Sequence, residues 1–195
     1  MKNIVIILGH PSSVQSTFCS AIARAYENGA THAEHGVSVI DIGQLQIPFF
    51  EEKTDYEKIG LSAELKNAQN KLKAAEHWVI IYPLWVGSMP AKLKAFFEWV
   101  MEPGFAYSAE TLNNPFAEKL LRCKSAHIIM TMGMPSWYYR WIYHAHSLKS
   151  LEKNMLKFYG ISPIRKTLLG SVDFVSDSQR VLWLDRIKRY GNQAA

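Results

Sequence analysis

Tyr82-Pro83-Leu84-Trp85-Val86-Gly87-Ser88-Met89-Pro90-Ala91-Lys92-Leu93-Lys94-Ala95-Phe96-Phe97-Glu98-Trp99-Val100 is the stretch that decides the fold. The short Val- and Ile-rich run that leads into it, Trp78 to Tyr82, reads as a strand buried on both faces. Pro83 has no N–H for a sheet ladder, so the strand ends there. Gly87 and Ser88 permit a tight loop. Pro90 suits a first helical turn, where a missing N–H costs nothing. Leu93, Phe96, Phe97 and Val100 then recur at helical spacing as one apolar stripe. The order is strand, proline-led loop, helix. The loop lies at the carboxyl end of a buried strand, where open α/β sheets bind ligands. A plain connecting turn has the same pattern. Trp85 beside Gly87 points further, because a flat apolar ring next to backbone N–H groups can line a planar aromatic ligand.

The same grammar repeats on either side. Ile4 to Leu8 is a second buried run, followed by the loop Gly9 to Thr17. Phe18, Ala21, Ile22, Ala25 and Tyr26 then repeat at helical spacing, with Ser16 or Thr17 as N-cap. A hydroxyl-rich loop opening a helix can hold a phosphate on its backbone donors and helix dipole. The hydroxyls also fit an ordinary cap. G-x-G-x-x-G is absent, and so is Gly-Lys-Ser/Thr, so neither the dinucleotide fingerprint nor a P-loop is present. His10 can hydrogen-bond a phosphate or ligand hydroxyl, or cap a turn.

Val37 to Ile42 is a third strand. Leu45 to Gly60, with Pro48, Phe49 and Phe50, reads as a surface excursion. Ser62 opens a helix with Leu65, Ala68, Leu72 and Ala75 on one face. Pro103 and Gly104 end the central helix, and Phe105 and Tyr107 follow in a loop. Ser108 to Leu121 reads as an irregular or short helical insertion. Ser125 to Thr131 is another strand, ending in an aromatic-rich loop, Met132 to Trp141. Leu148, Leu151, Met155 and Phe158 predict a helix closed by Gly160, and Ile161 to Val172 the fifth strand. Ser176 and Gln179 form a capping-box pattern before a last helix with Leu182, Leu184, Ile187 and Tyr190 on its apolar face.

Five βα units imply an α/β fold: a doubly wound parallel sheet with helices on both faces, in a single domain over residues 1–195. The expected strand order is 2-1-3-4-5, and the loops after strands 1 and 3 then flank the switch point. With the loop after strand 4, three loops converge. One offers hydroxyls and a helix N-terminus; two offer glycine backbone and aromatic planes. A phosphate plus a large flat ring describes flavin mononucleotide (FMN) or the dinucleotide FAD.

Composition bounds this reading. Hydrophobic residues make up 48%, which excludes a disordered chain. No apolar run approaches the ~20 residues of a membrane span, and the N-terminus shows no signal-peptide pattern. The net charge of +5 comes from scattered residues, 22 basic against 17 acidic, with no nucleic-acid-binding motif. Cys19 and Cys123 match no metal or redox spacing, and reduced thiols fit a cytoplasmic location. His32 and His35 have no partners in metal-ligand spacing.

The motifs resemble the flavodoxin-like NAD(P)H dehydrogenases (quinone). Those that carry the resemblance are Gly9-His10-Pro11 with Ser16-Thr17-Phe18, Tyr82-Pro83-Leu84-Trp85 through Lys94, Gly104-Phe105-Ala106-Tyr107, and Thr131-Met132-Gly133-Met134-Pro135 with Tyr139. The resemblance implies that His10, Ser16, Thr17 and Phe18 hold the ribityl chain and phosphate of a flavin. Pro83, Leu84, Trp85 and Val86 would border its ring, and the backbone of Thr131 and Gly133 would donate to the ring's pyrimidine end. Tyr139 would relay charge or protons. A family histidine falls between His144 and His146, which makes both relay candidates. Phe105 and Tyr107 would reach the active site of a neighbouring subunit in a homodimer. Cys19 departs from the family, standing where the animal enzymes carry an amide.

The implied activity is two-electron transfer from NAD(P)H, through FMN or FAD, to a quinone or similar acceptor. A flavodoxin-type electron carrier and a regulatory flavoprotein subunit of a membrane transporter are the alternatives. A flavin-free phospho-receiver lacks its acidic residues at the end of strand 1.

Overall fold

A computed structural model describes residues 1–12, 14, 16–52, 55, 59–108, 118–122 and 124–195. Cys123 and most of the insertion expected over Ser108 to Leu121 lie outside the described residues. Five parallel strands form one sheet in the order β2-β1-β3-β4-β5. They are β1 (Asn3–Leu8), β2 (Gly36–Asp41), β3 (His77–Pro83), β4 (Ser125–Thr131) and β5 (Ile164–Leu169). The helices are α1 (Phe18–His32), α2 (Ala63–Ala74), α3 (Ala91–Val100), α4 (Ser136–Trp141), α5 (His146–Lys149) and α6 (Asp177–Gln193). The doubly wound sheet and its order agree with the reading of the five βα units.

β3 is the centre because both its faces are apolar. Every residue from His77 to Pro83 is buried, and the strand pairs with β1 on one side and β4 on the other. One face of the sheet packs under α2 and α3, through Leu65, Leu72, Phe96 and Trp99. The other packs under α1 and α6, through Ile22, Tyr26 and Ile187. α1 and α6 cross closely at two glycines. A Cβ on Gly29 would lie 2.0 Å from the Lys188 carbonyl oxygen, and one on Gly191 would lie 2.2 Å from that of Tyr26.

The helix starts follow their caps. Thr17, Ser62 and Ser176 each accept a hydrogen bond from the N–H three residues on, which satisfies an otherwise orphaned donor. Pro90 sits one residue before α3 and caps it through its carbonyl, which accepts from Leu93 and Lys94.

Three expectations need correction. β5 is shorter than Ile161 to Val172: Ser171 takes a left-handed φ of 55°, and the N–H groups of Ser171 and Val172 turn to the Met134 and Met132 carbonyls. The helix expected from Leu148 to Phe158 is only α5 continuing into a π-helical stretch, Ser150–Leu156. The wider turn buries Glu152, which pairs with Lys157 and Lys166 at 2.7 Å each. Leu182 is exposed, because two residues at ~100° each set it about 200° around α6 from Leu184.

Candidate active site

Burial of β1, β3 and β4 fixes where their carboxyl-end loops emerge, and hydrogen bonds tie those loops together. Gly9 N–H donates to the Ile81 carbonyl at 2.7 Å. The approach requires glycine: a Cβ there would stand 2.6 Å from Leu93 Cδ2 and 3.1 Å from the Ile81 oxygen. Leu84 N–H donates to the Thr131 carbonyl at 2.7 Å, joining the loops after β3 and β4. Cys19 Sγ lies 3.5 Å from Thr131 Oγ1, joining the first turn of α1 to β4.

In the first loop, Ser12 N–H donates to His10 Nδ1 at 3.2 Å. Nδ1 also lies 3.3 Å from the Ser12 carbonyl oxygen, to which it donates in the other tautomer. The His10 ring meets Trp85 edge-on, with centroids 5.5 Å apart at 77°. Ser16 is exposed. Thr17 Oγ1 is engaged as the cap, with Ser20 N–H at 3.1 Å and Ser20 Oγ at 2.7 Å. The half-buried Phe18 ring lies against Trp183 at 6.2 Å. On it sits the Arg180 guanidinium, 5.8 Å from the centroid. Arg180 Nη2 donates to the Val172 carbonyl at 2.9 Å, while its buried Nε has no hydrogen-bond partner. A cation therefore stands beside the N-terminal turn of α1. Burial pushes the Cys19 thiol up to about 11, against the smaller opposing pull of its Thr131 hydrogen bond. Cys19 is a buried core thiol.

In the central loop, Trp85 and Ser88 exchange both backbone hydrogen bonds at 2.9 Å. Val86 (φ 47°) and Gly87 (φ 77°) fill the two left-handed positions of that turn. Val86 is fully exposed and Trp85 half exposed. Pro83 is the buried last residue of β3, and Leu84 is partly buried behind Trp85. After β4, Thr131 is buried and Gly133 is exposed, so Gly133 is the more accessible of the two expected backbone donors.

Tyr139 is buried, with only 2% of its surface exposed. Its hydroxyl lies 2.7 Å from Ser147 Oγ and accepts from Leu148 N–H at 3.2 Å. Ser147 in turn lines a groove of about 520 Å³ with Trp85, Val86, Met89, Lys94 and Ser150. Tyr139 thus reaches the groove through Ser147. His144 and His146 are exposed, with ring centroids 5.7 Å apart. Phe105 is packed in the chain's own core. Tyr107 is half-buried and stacks on Tyr159 at 6.1 Å, so of this pair it is the one a ligand can reach.

The three loops brought together are those expected from the sequence. Ser147 and Arg180 were not singled out there. Ser147 carries no pattern of its own. Arg180 follows a cap motif, and its approach to Phe18 depends on how α1 and α6 cross. A separate cleft of about 470 Å³ opens at the β2 edge among Arg24, Glu27, Asp41 and Glu64; none of these residues belongs to the three loops. Among the described residues, no group of three His, Cys, Asp or Glu side chains is placed to hold a metal.

The chain belongs to a flavodoxin-like fold family, whose profile matches residues 2–191. It is 29% identical over 193 residues to a protein of Haemophilus influenzae named an uncharacterized NAD(P)H oxidoreductase, covering 91% of this chain and 88% of that one. It is 30% identical over 139 residues to the rat NAD(P)H dehydrogenase [quinone] 1, covering 69% of this chain but 49% of the rat protein. Its fold is shared by the NAD(P)H:quinone oxidoreductase of Methanothermobacter marburgensis, at TM-score 0.81 and 22% identity, over 98% of this chain and 96% of that one. It is shared too by an FMN-dependent NADH-azoreductase of Bacillus anthracis, at TM-score 0.76 and 16% identity, over 97% and 98% of the two chains.

Proposed function

We propose that this protein is a flavin-dependent NAD(P)H oxidoreductase that passes two electrons to quinones or similar acceptors. The observation that carries the reading is the meeting of the loops after β1, β3 and β4, with His10 edge-on to Trp85 and Leu84 bonded to Thr131, beside the capped N-terminus of α1. The residues present fit a flavin. The N-terminal turn of α1, the exposed Ser16 and the Arg180 cation suit its phosphate. His10 Nε2 suits its ribityl hydroxyls. Trp85, with Leu84 and Val86, offers an apolar border to the ring, and Gly133 a backbone donor to its polar edge.

Bound flavin supplies the redox chemistry, taking two electrons from NAD(P)H and giving them to the acceptor. The chain's residues do the rest. The left-handed turn at Val86–Gly87 holds Trp85 against His10, which orients the ring's edge. Backbone donors at Gly133 stabilise negative charge there. Tyr139 and Ser147 form a hydrogen-bonded path along which a proton can move to the groove. His144 and His146, exposed and within three residues of Ser147, are the candidates for passing protons to solvent.

FMN is favoured over FAD. The fold shared with an FMN-dependent azoreductase supports this choice, and the kinship with the rat quinone dehydrogenase supports NAD(P)H as electron donor. The groove also supports a homodimer with composite sites. It runs on into a hollow of about 320 Å³ where Met89, Met101 and Met155 stand beside Lys94, Glu98 and Asn154, a mixed surface that suits a second copy. The buried free thiol of Cys19 suits the cytoplasm. A flavodoxin-type carrier, by contrast, needs an exposed flavin edge and no nicotinamide groove.

The test is the absorbance spectrum of the purified protein, with mass determination of the released cofactor and turnover of NAD(P)H with a soluble benzoquinone. The expected result is stoichiometric FMN and quinone-dependent NAD(P)H oxidation. Failure to bind either FMN or FAD on titration sinks the reading.

A further inference from the structure

We propose that the aromatic face of α4 and the turn after it docks on an anionic lipid bilayer. α4 buries only Tyr139. Trp137 and Trp141 are 61% and 70% exposed, and Ile142 and Tyr143 are more than half exposed. The tie of the Tyr139 hydroxyl to Ser147 and Leu148 pins the inner side of this segment. Two consecutive left-handed residues, His144 (φ 51°) and Ala145 (φ 49°), then reverse the chain and leave Trp141, Ile142 and Tyr143 facing outward. The rings brace one another: Trp137 meets Tyr138 at 5.7 Å, and Tyr138 meets Tyr143 at 5.6 Å. The face is therefore a set of projecting aromatic side chains on a held support.

Composition says what covers it. Trp and Tyr are the side chains that settle at a membrane–water interface, with the ring in the acyl boundary and the polar atom among headgroups. Arg140 and Lys149 are exposed within the same segment. These two cations complement the negative surface of an anionic leaflet. A bilayer also demands no matching pocket, which suits a projecting face. Among the described residues no helix is long and apolar enough to cross a membrane, so the protein would lie on the bilayer and not span it.

Docking needs no redox chemistry. Its use does rest on the function proposed above: Ser147 follows this face directly and lines the groove beside Trp85. A docked protein would hold its site close to the phase in which long-chain quinones dissolve.

The test is co-sedimentation of the full chain with vesicles of mixed phosphatidylcholine and phosphatidylglycerol, compared with phosphatidylcholine alone. Binding is expected to the mixed vesicles, with a blue shift of tryptophan emission and release by added salt. The double variant Trp141→Ser/Ile142→Ser is expected to bind at least ~10-fold less, with circular dichroism, melting temperature and turnover of a water-soluble quinone unchanged. The single change Arg140→Gln should weaken binding a few-fold without altering the fold. Absence of binding to anionic vesicles, or equal binding by the double variant, overturns the proposal. So does dissociation of an oligomer by the double variant in light scattering, which would assign the face to a second copy. Vesicle binding by a protein that turns over no quinone leaves docking intact and removes the proposed function instead.

Discussion

The two ends of the sheet treat polar and aromatic groups in opposite ways. At the amino end they are buried and, apart from the unpartnered His77 Nε2, answered from within. His127 lies between the Ala195 oxygen and Thr167 Oγ1, at 2.8 Å each, and His77 Nδ1 is 2.7 Å from Ser125 Oγ. Tyr26 covers both rings, stacked on His77 at 6.4 Å and edge-on to His127 at 6.2 Å. At the carboxyl end, Trp85, Trp137 and Trp141 are exposed, and Val86 and His144 sit in backbone conformations that side chains with a Cβ resist. One end is arranged for stability. The other holds groups available at a cost, as expected of loops that carry function on a rigid scaffold.

Acid should break the amino end first, and this is the largest effect expected. Burial, with smaller contributions from nearby cations, lowers the pKa of His77 to about 4. Burial also lowers that of His127 to about 3, although its bond to the Ala195 oxygen opposes the shift. Both folded values lie below the unfolded value, so the unfolded chain binds more protons as pH falls. Stability is full above the unfolded pKa of 6.5 and is lost as pH drops through it toward the folded values. Between pH 7 and 5 the loss should be about 2 kcal/mol per histidine, roughly 4 kcal/mol together. For a chain of this size that is roughly a 10 °C fall in melting temperature. His127→Gln should flatten the pH dependence of melting; an unchanged slope would mean that other groups set it.

The second prediction moves to the carboxyl end and asks whether Tyr139 belongs to the site or only to its frame. Tyr139→Phe leaves the buried Leu148 N–H without its acceptor, which costs about 1–3 kcal/mol. Ser147→Ala leaves that bond in place and should cost less. If the pair relays a proton, both changes slow the bleaching of bound flavin by NAD(P)H about 100-fold, or close to 3 kcal/mol of barrier. The expected outcome is that both variants are slow and only Tyr139→Phe melts early. A Ser147→Ala protein that bleaches at the parent rate would make Tyr139 a packing residue and move the relay to His144 or His146.

The same contrast explains what was legible in the sequence. β1, β3 and β4 are buried on both faces, so their composition marks them without context, and β4 was bounded to the residue. The three converging loops follow from strand order alone. What escaped depends on contacts between distant segments. β5 ends early because its exit turns to pair with the loop after β4, which no local pattern records. The π-helical stretch has the apolar spacing of an ordinary helix; what distinguishes it is the bond from Lys157 N–H to the Glu152 carbonyl, five residues back. Tyr139, one of several adjacent aromatics, is the only buried residue of α4. Arg180 reaches Phe18 because α1 and α6 pack side by side, with Gly29 and Gly191 in close contact at the far end of the pair.

The smallest expected effect is the most specific test of the carboxyl end. Val86 stands fully exposed at the first left-handed position of the Trp85–Ser88 turn, at φ 47°. A β-branched residue is disfavoured there by roughly 1–2 kcal/mol, whereas Asn followed by Gly is the favoured pair for such a turn. Gly87 already occupies the second position. Val86→Asn should therefore keep both Trp85–Ser88 hydrogen bonds and stabilise the flavin-free protein by about 1 kcal/mol. That corresponds to a rise of ~2–4 °C in melting temperature. A stabler residue is one substitution away, so the valine needs another reason to be present, and an apolar contact with the flavin ring supplies one. The FMN dissociation constant of the variant should then rise several-fold, in line with the loss of a buried isopropyl group. A stabilised variant that binds FMN as tightly as the parent would show that Val86 borders no ring and that its strain serves only the turn.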